Sequence, residues 1–209
     1  LRRVNVSLDT LNPEKYRDIT RGGELQRVLA GLSAAREAGL GPIKINTVLI
    51  GGFNDTEIEA FAELTRKEAL DVRFIELMPI GEASTWTEGH FISSRVVLEQ
   101  LPQLVAETEA GEGGPARYWR LPGASGRIGL INPISSHFCG ACNRIRLTAD
   151  GHLKPCLHAD HEIDLKPALG DVEALKALIE QGIRLKPDGH RINGTGFEPV
   201  LRNMHEIGG

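Results

Sequence analysis

Cys139, Cys142 and Cys156 are the three cysteines of this 209-residue chain, spaced Cys-Gly-Ala-Cys and then, after thirteen residues, the third. Thiolates two residues apart can face one metal centre, and a third that returns nearby supplies another ligand. A disulfide framework fits poorly, because it needs an even number of cysteines spread along the chain. Two metal chemistries stay open on spacing alone. A tetrahedral zinc would take the three cysteines and one of His137, His158 or His161. An iron–sulfur cubane held by three cysteines would leave one iron open to a substrate atom.

The residues between the cysteines read as a hairpin. Asp150-Gly151 suits a two-residue turn, since both central positions want positive φ. That turn predicts Ala149 opposite His152 and, counting back, Ile145 opposite Cys156. Cys156 then returns close to Cys142 across the ladder. Arg144 and Arg146 share one strand face, with Ile145 and Leu147 on the other. Two guanidiniums side by side repel unless an anion relieves them, so they make a fork for phosphate or carboxylate oxygens.

The elements that must position these groups alternate strand and helix over the first 80 residues. Residues 3–8 read as a strand, 24–38 as a helix stopped by Gly39, and 43–50 as a second strand. Asn54 is expected to cap a helix whose inward side chains are Ile58, Phe61, Ala62 and Thr65. Residues 72–78 form a third strand. This order demands right-handed crossovers and a parallel sheet. A sheet covered on both faces should be apolar on both, yet Asn5, Ser7 and Asp9 share one face, as do Lys44 and Asn46. Such faces suit a barrel lumen that holds a ligand; an edge strand with one wet face is the plainer alternative. Arg73 and Glu76 could form an ordinary ion pair, and Met78 could be core filler.

Beyond Met78 the alternation stops. Residues 81–89 read as a loop, 94–101 as a helix, 116–121 and 127–132 as short strands, and 171–181 as a helix ended by Gly182. The net charge of −4 argues against a general nucleic-acid partner, though not against a small anion held by a few arginines. No apolar run approaches the roughly 18 residues of a membrane span, and no signal-peptide core follows Arg2-Arg3. A cytoplasmic protein is expected. No phosphate-binding loop or dinucleotide fingerprint occurs, and Gly51-Gly52 fits neither.

Ser7-Leu-Asp9, Ile43-Lys-Ile-Asn46, Arg73-Phe-Ile-Glu-Leu-Met78, Cys139-x2-Cys142-Asn-Arg-Ile-Arg146, Cys156 and the closing Gly208-Gly209 together resemble one family. It is the molybdenum cofactor biosynthesis protein A family, the radical-SAM GTP 3′,8-cyclases. The resemblance spans the chain in order and favours a cluster over zinc. It implies an α/β fold: the C-terminal half of a partial (β/α)6 radical-SAM barrel over residues 1–80, then an α+β extension over 81–209. The extension would close the barrel mouth and carry an auxiliary 4Fe-4S cluster on Cys139, Cys142 and Cys156.

The resemblance further implies that Lys44, Arg144, Ile145 and Arg146 contact GTP, and that Ser7 and Met78 contact S-adenosyl-L-methionine. Arg73 would line the same cavity, and Gly208 and Gly209 would reach into the active site. An electron donor of unstated identity and a downstream pterin synthase are implied partners; a homodimer is compatible with the chain. The family's second 4Fe-4S cluster sits on a C-x3-C-x2-C loop, and no cysteine precedes Cys139 here. The chain also begins without methionine on a strand-like run. It is therefore expected to be a portion of a longer enzyme, unable to generate the radical by itself. Other radical-SAM enzymes with auxiliary clusters typically carry more C-terminal cysteines than three.

Overall fold

The computed structural model describes residues 1–85, 87–107, 114–159, 161–190, 192, 200 and 202–207. Two compact units emerge, one formed by residues 1–77 with 89–135, the other by 78–88 with 136–209. The segment 89–135 thus groups with the first strands.

In the first unit, β1 (Val4–Ser7), α1 (Pro13–Ile19), α2 (Leu25–Glu37), β2 (Ile43–Leu49), α3 (Ile58–Lys67) and β3 (Leu70–Glu76) follow in the expected alternation. The helix α1 was not foreseen, although Asn12 signals it by accepting from the Glu14 and Lys15 amides ahead of Pro13. Residues 81–85 make a 3-10 turn, followed by the short α4 (Thr87–His90) and α5 (Arg95–Gln100). β1, β2 and β3 pair in parallel. β4 (Val105–Ala106) and β5 (Arg117–Arg120) precede β6 (Arg127–Ile131), which lies parallel to β3 and antiparallel to β5. The sheet order is therefore β1-β2-β3-β6-β5-β4.

One face of this sheet is the core. Ile45, Leu49, Val72, Phe74 and Ile128 meet Ile58, Phe61 and Ala62 of α3, with Phe61 and Phe74 edge to face at 6.1 Å. The four inward positions read for α3, Ile58, Phe61, Ala62 and Thr65, are all buried. Asn54 does not cap that helix. Its amide instead accepts from the Ile50 amide at 2.9 Å and donates to the Asp9 and Val48 carbonyls at 2.7 Å each, bracing the strand ends. Nor does Glu76 pair with Arg73, because adjacent odd and even positions face opposite sides of the sheet. Glu76 is fully buried and accepts from the Ser94, Ile134 and Ser135 amides.

The second unit holds a small antiparallel sheet of β7 (Arg146–Leu147), β8 (His152–Lys154) and β9 (Ile163–Asp164), plus α6 (Val172–Arg184). α6 runs through Gly182 rather than stopping there, and Gly182 is buried. A Cβ at Gly182 would lie 2.4 Å from Leu153 Cδ2, so the missing side chain lets α6 sit directly on β8. Ile80, Val200 and Ile207 form a separate apolar cluster, with Met78 and Leu157 packed against it.

Candidate functional site

Two groups of candidate residues are assembled, one in each unit. In the first, parallel register puts Ser7, Asn46, Arg73 and Gly129 in one row, with Asn5, Lys44, Asp71 and Arg127 in the row beside it. Arg73 donates to Asn46 Oδ1 at 2.8 Å and to Asn5 Oδ1 at 3.1 Å, so its guanidinium lies across three strands. Gly129 makes room for this: a Cβ there would approach both Arg73 Cγ and Tyr118 Cε1 at 3.0 Å. Arg127 grips Asp71 bidentately at 2.9 and 2.7 Å and stacks 4.2 Å over the Tyr118 ring.

Lys44, Arg73, Tyr118 and Arg127 line a cavity of about 250 Å³. Its walls offer donors and positive charge, which suits an oxyanion-bearing ligand. Tyr118 and Arg127 were not singled out from the sequence. The parallel pairing of β6 with β3 brings Arg127 beside Arg73, and the antiparallel return of β5 onto β6 brings Tyr118. Ser7 is exposed at the edge strand, and Asp9 is pushed up by burial, with the Val48 amide at 2.8 Å opposing.

In the second unit the hairpin is present, but in a different register. Arg146 pairs with Lys154 and Leu147 with Leu153, one residue away from the expected pairing. The Thr148 hydroxyl causes the slip, accepting from the His152 amide at 2.8 Å while the Thr148 amide donates to the His152 carbonyl. The loop becomes three residues, Ala149 to Gly151, with Gly151 at φ +83°. Continued along the ladder, that count sets Arg144 rather than Ile145 level with Cys156. Arg144 precedes the paired residues, its charge acts on Arg146, and Ile145 is exposed.

All three cysteines are half-buried free thiols. Cys139 and Cys142 flank a 3-10 turn in which the Cys142 amide donates to the Cys139 carbonyl at 3.0 Å. Lys186 Nζ lies 3.6 Å from Cys142 Sγ, 2.7 Å from the Arg144 carbonyl and 3.2 Å from the Pro155 carbonyl. Burial, followed by the Arg144 charge, pulls Arg146 below the usual arginine range, while Cys156 and Cys142 act oppositely. Cys142 lies beside Lys186, and Cys142 and Cys156 both act on Arg146; three thiolates are a donor set that suits a metal-centred group, and nearby positive charge favours the ligating anion. Among the described residues, no three His, Cys, Asp or Glu side chains close on a common point.

The histidines weighed for zinc keep other company. His137 and His158 each meet the His190 ring, at 5.3 and 5.4 Å. Burial, with His190 next, holds His158 down at about 4. His161 is exposed. Met78 packs in its apolar cluster, and Gly208 and Gly209 lie outside the described residues. No helix among the described residues is long and apolar enough to cross a membrane.

Comparison with known proteins adds a family and relatives. Residues 70–192 match the family described as Molybdenum Cofactor Synthesis C, and residues 1–65 match the Radical SAM superfamily. The proteins named GTP 3′,8-cyclase from Alkaliphilus oremlandii and Alkaliphilus metalliredigens are each 53% identical to the whole of this chain. The protein of the same name from Listeria welshimeri is 42% identical over the whole chain. The chain spans 65% of the length of the first two relatives and 66% of the third.

Proposed function

Since the chain belongs to the Molybdenum Cofactor Synthesis C family, we propose that it is the cluster- and nucleotide-binding portion of a radical-SAM GTP 3′,8-cyclase. The observation that carries the proposal is the spacing of Cys139, Cys142 and Cys156 around Arg144 and Arg146, with Arg146 paired to Lys154 across the hairpin. The relatives' shared name supports the substrate and the reaction.

In this reading Cys139, Cys142 and Cys156 hold an auxiliary 4Fe-4S cluster. When bound, that cluster supplies an open iron for the guanine base. Arg144, Ile145 and Arg146 orient the nucleotide, and Lys44 and Arg73 neutralise phosphate oxygens with donors already fixed on the sheet. Ser7 and Met78 are assigned to S-adenosyl-L-methionine, and Gly208 and Gly209 to the reacting end of the substrate. The first three strands are read as part of an incomplete (β/α) barrel. A second 4Fe-4S cluster would need three further cysteines, so radical generation is not assigned to this chain's residues. An electron donor and a pterin synthase complete the partners; nucleic acid and membrane are not among them.

Anaerobic reconstitution with iron and sulfide tests the reading. A brown protein with broad visible charge-transfer absorption is expected. A colourless protein retaining stoichiometric zinc would refute it. Replacing Arg144 and Arg146 by Ala should abolish GTP binding while leaving iron content intact, and unchanged affinity would remove the phosphate fork.

A further inference from the structure

Lys186 touches both arms of the cysteine hairpin and a cysteine sulfur. Its three contacts are Cys142 Sγ, the carbonyl of Arg144 and the carbonyl of Pro155. Cys142 and Arg144 lie on the outgoing arm, and Pro155 adjoins Cys156 on the returning arm. A lysine ammonium has three N–H donors, so these three acceptors occupy all of them. The side chain is half-buried, and its direction is set from below. Gly182 seats α6 against Leu153 of β8, and Lys186 follows one turn later, where the helix ends at Arg184. A Cβ at Gly182 would lift the helix from the sheet and carry Lys186 away from the sulfur.

We propose that Lys186 is a positioning residue of the three-cysteine site. It holds the two arms at a fixed separation and donates to Cys142 Sγ, and so favours the reduced state of the group the cysteines hold. The inference rests on the cluster reading above. Hydrogen bonds and positive charge at a ligating sulfur stabilise the extra negative charge of a one-electron reduced cluster and raise its potential. Because the same ammonium binds the Arg144 carbonyl, it also fixes the backbone of the residue that begins the arginine fork.

The test compares the whole chain with its Lys186→Met, Lys186→Gln and Lys186→Arg variants, each reconstituted anaerobically. The readouts are iron content, far-UV circular dichroism and an EPR-monitored redox titration. The chain has three cysteines in all, so any thiolate-held cluster signal reports on them. Lys186→Met and Lys186→Gln should show at least a tenfold lower ratio of reduced to oxidised cluster at fixed potential. That corresponds to a midpoint about 59 mV more negative for a one-electron couple. Lys186→Arg, which keeps charge and donors, should recover part of the shift. Failure of Lys186→Met and Lys186→Gln to take up iron while Lys186→Arg does so also supports the role. A wild-type chain that takes up no cluster would refute the underlying reading. A wild-type cluster with unchanged midpoints in the Met and Gln variants would overturn the Lys186 proposal alone. So would loss of fold in all three variants, which would make the residue purely structural.

Discussion

Replacing Glu76 should expose how strongly one buried carboxylate organises the end of β3. Its Oε2 accepts from the Ile134 amide at 3.0 Å and the Ser135 amide at 2.9 Å. Its Oε1 accepts from the Ser94 amide at 3.1 Å, from Ser93 Oγ at 3.3 Å and from the Ser135 hydroxyl. The side chain is fully buried. In Glu76→Gln the new amide nitrogen would take the Oε1 position, because the two serine hydroxyls can rotate to accept from it. At the Oε2 position it would face two backbone donors. The loss is then one charge-assisted bond to the Ser94 amide, about 1.5–3 kcal/mol. In Glu76→Ala three backbone amides lose their acceptor, at about 1–3 kcal/mol each. The expected cost is above about 4 kcal/mol even with incomplete additivity. Denaturant unfolding gives the global values. Native-state amide exchange at Ser94, Ile134 and Ser135 gives the local ones, with about tenfold faster exchange per 1.4 kcal/mol. An Ala variant costing less than about 1 kcal/mol, with those amides still protected, would refute the account.

Gly126→Ala should destabilise the first unit by more than about 2 kcal/mol in thermal or chemical unfolding, since its Cβ would fall 2.0 Å from the Leu70 carbonyl oxygen. Gly129→Val should detach Arg73 from Asn46 and weaken nucleotide binding by calorimetry, with little change in far-UV dichroism. The Asp150 carboxyl is held well below the ordinary carboxylate range, first by Arg202 and then by the Thr148 hydroxyl. A depressed folded-state pKa adds stability that is present above the unfolded value, about 4, and is lost as pH falls below it. Asp150→Asn should therefore flatten the acid limb of the stability profile, and an unchanged limb would exclude this group as its cause.

Much of the first unit was legible in the residues. β2 alternates buried and half-buried positions along its whole length, and the apolar stripe of α3 points at the core as its spacing required. What escaped depended on partners far away in the chain. Asn54 has the chemistry of a helix cap, and only the neighbouring Asp9 and Val48 carbonyls draw it into a loop brace. Asp150-Gly151 is a sound turn signal, but the Thr148 hydroxyl makes a local bond that adds a residue to the loop and moves the register. Glu76 has the charge of an ion-pair partner, yet it faces the side of the sheet opposite Arg73. Gly182 has the composition of a helix stop, and its real use depends on Leu153. Lys186 lies just past the end of α6 and belongs to no motif in the sequence. Nothing local marks it, because its three acceptors lie between thirty-one and forty-four residues away.

The ion pairs around the hairpin bear on how the cysteines are exposed during synthesis. Arg202 bridges Asp150 at 2.9 Å and Glu162 at 2.8 Å, Glu162 faces the buried Lys154, and Ile207 fills the apolar cluster beside Ile80. The Arg202 pairs and the Ile207 contact join residues 202–207 to segments made much earlier. Such long-range closure comes late in folding. As the chain emerges from the ribosome, the second unit therefore stays open until residues 202–207 are out. Through that interval Cys139, Cys142 and Cys156 remain open to solvent.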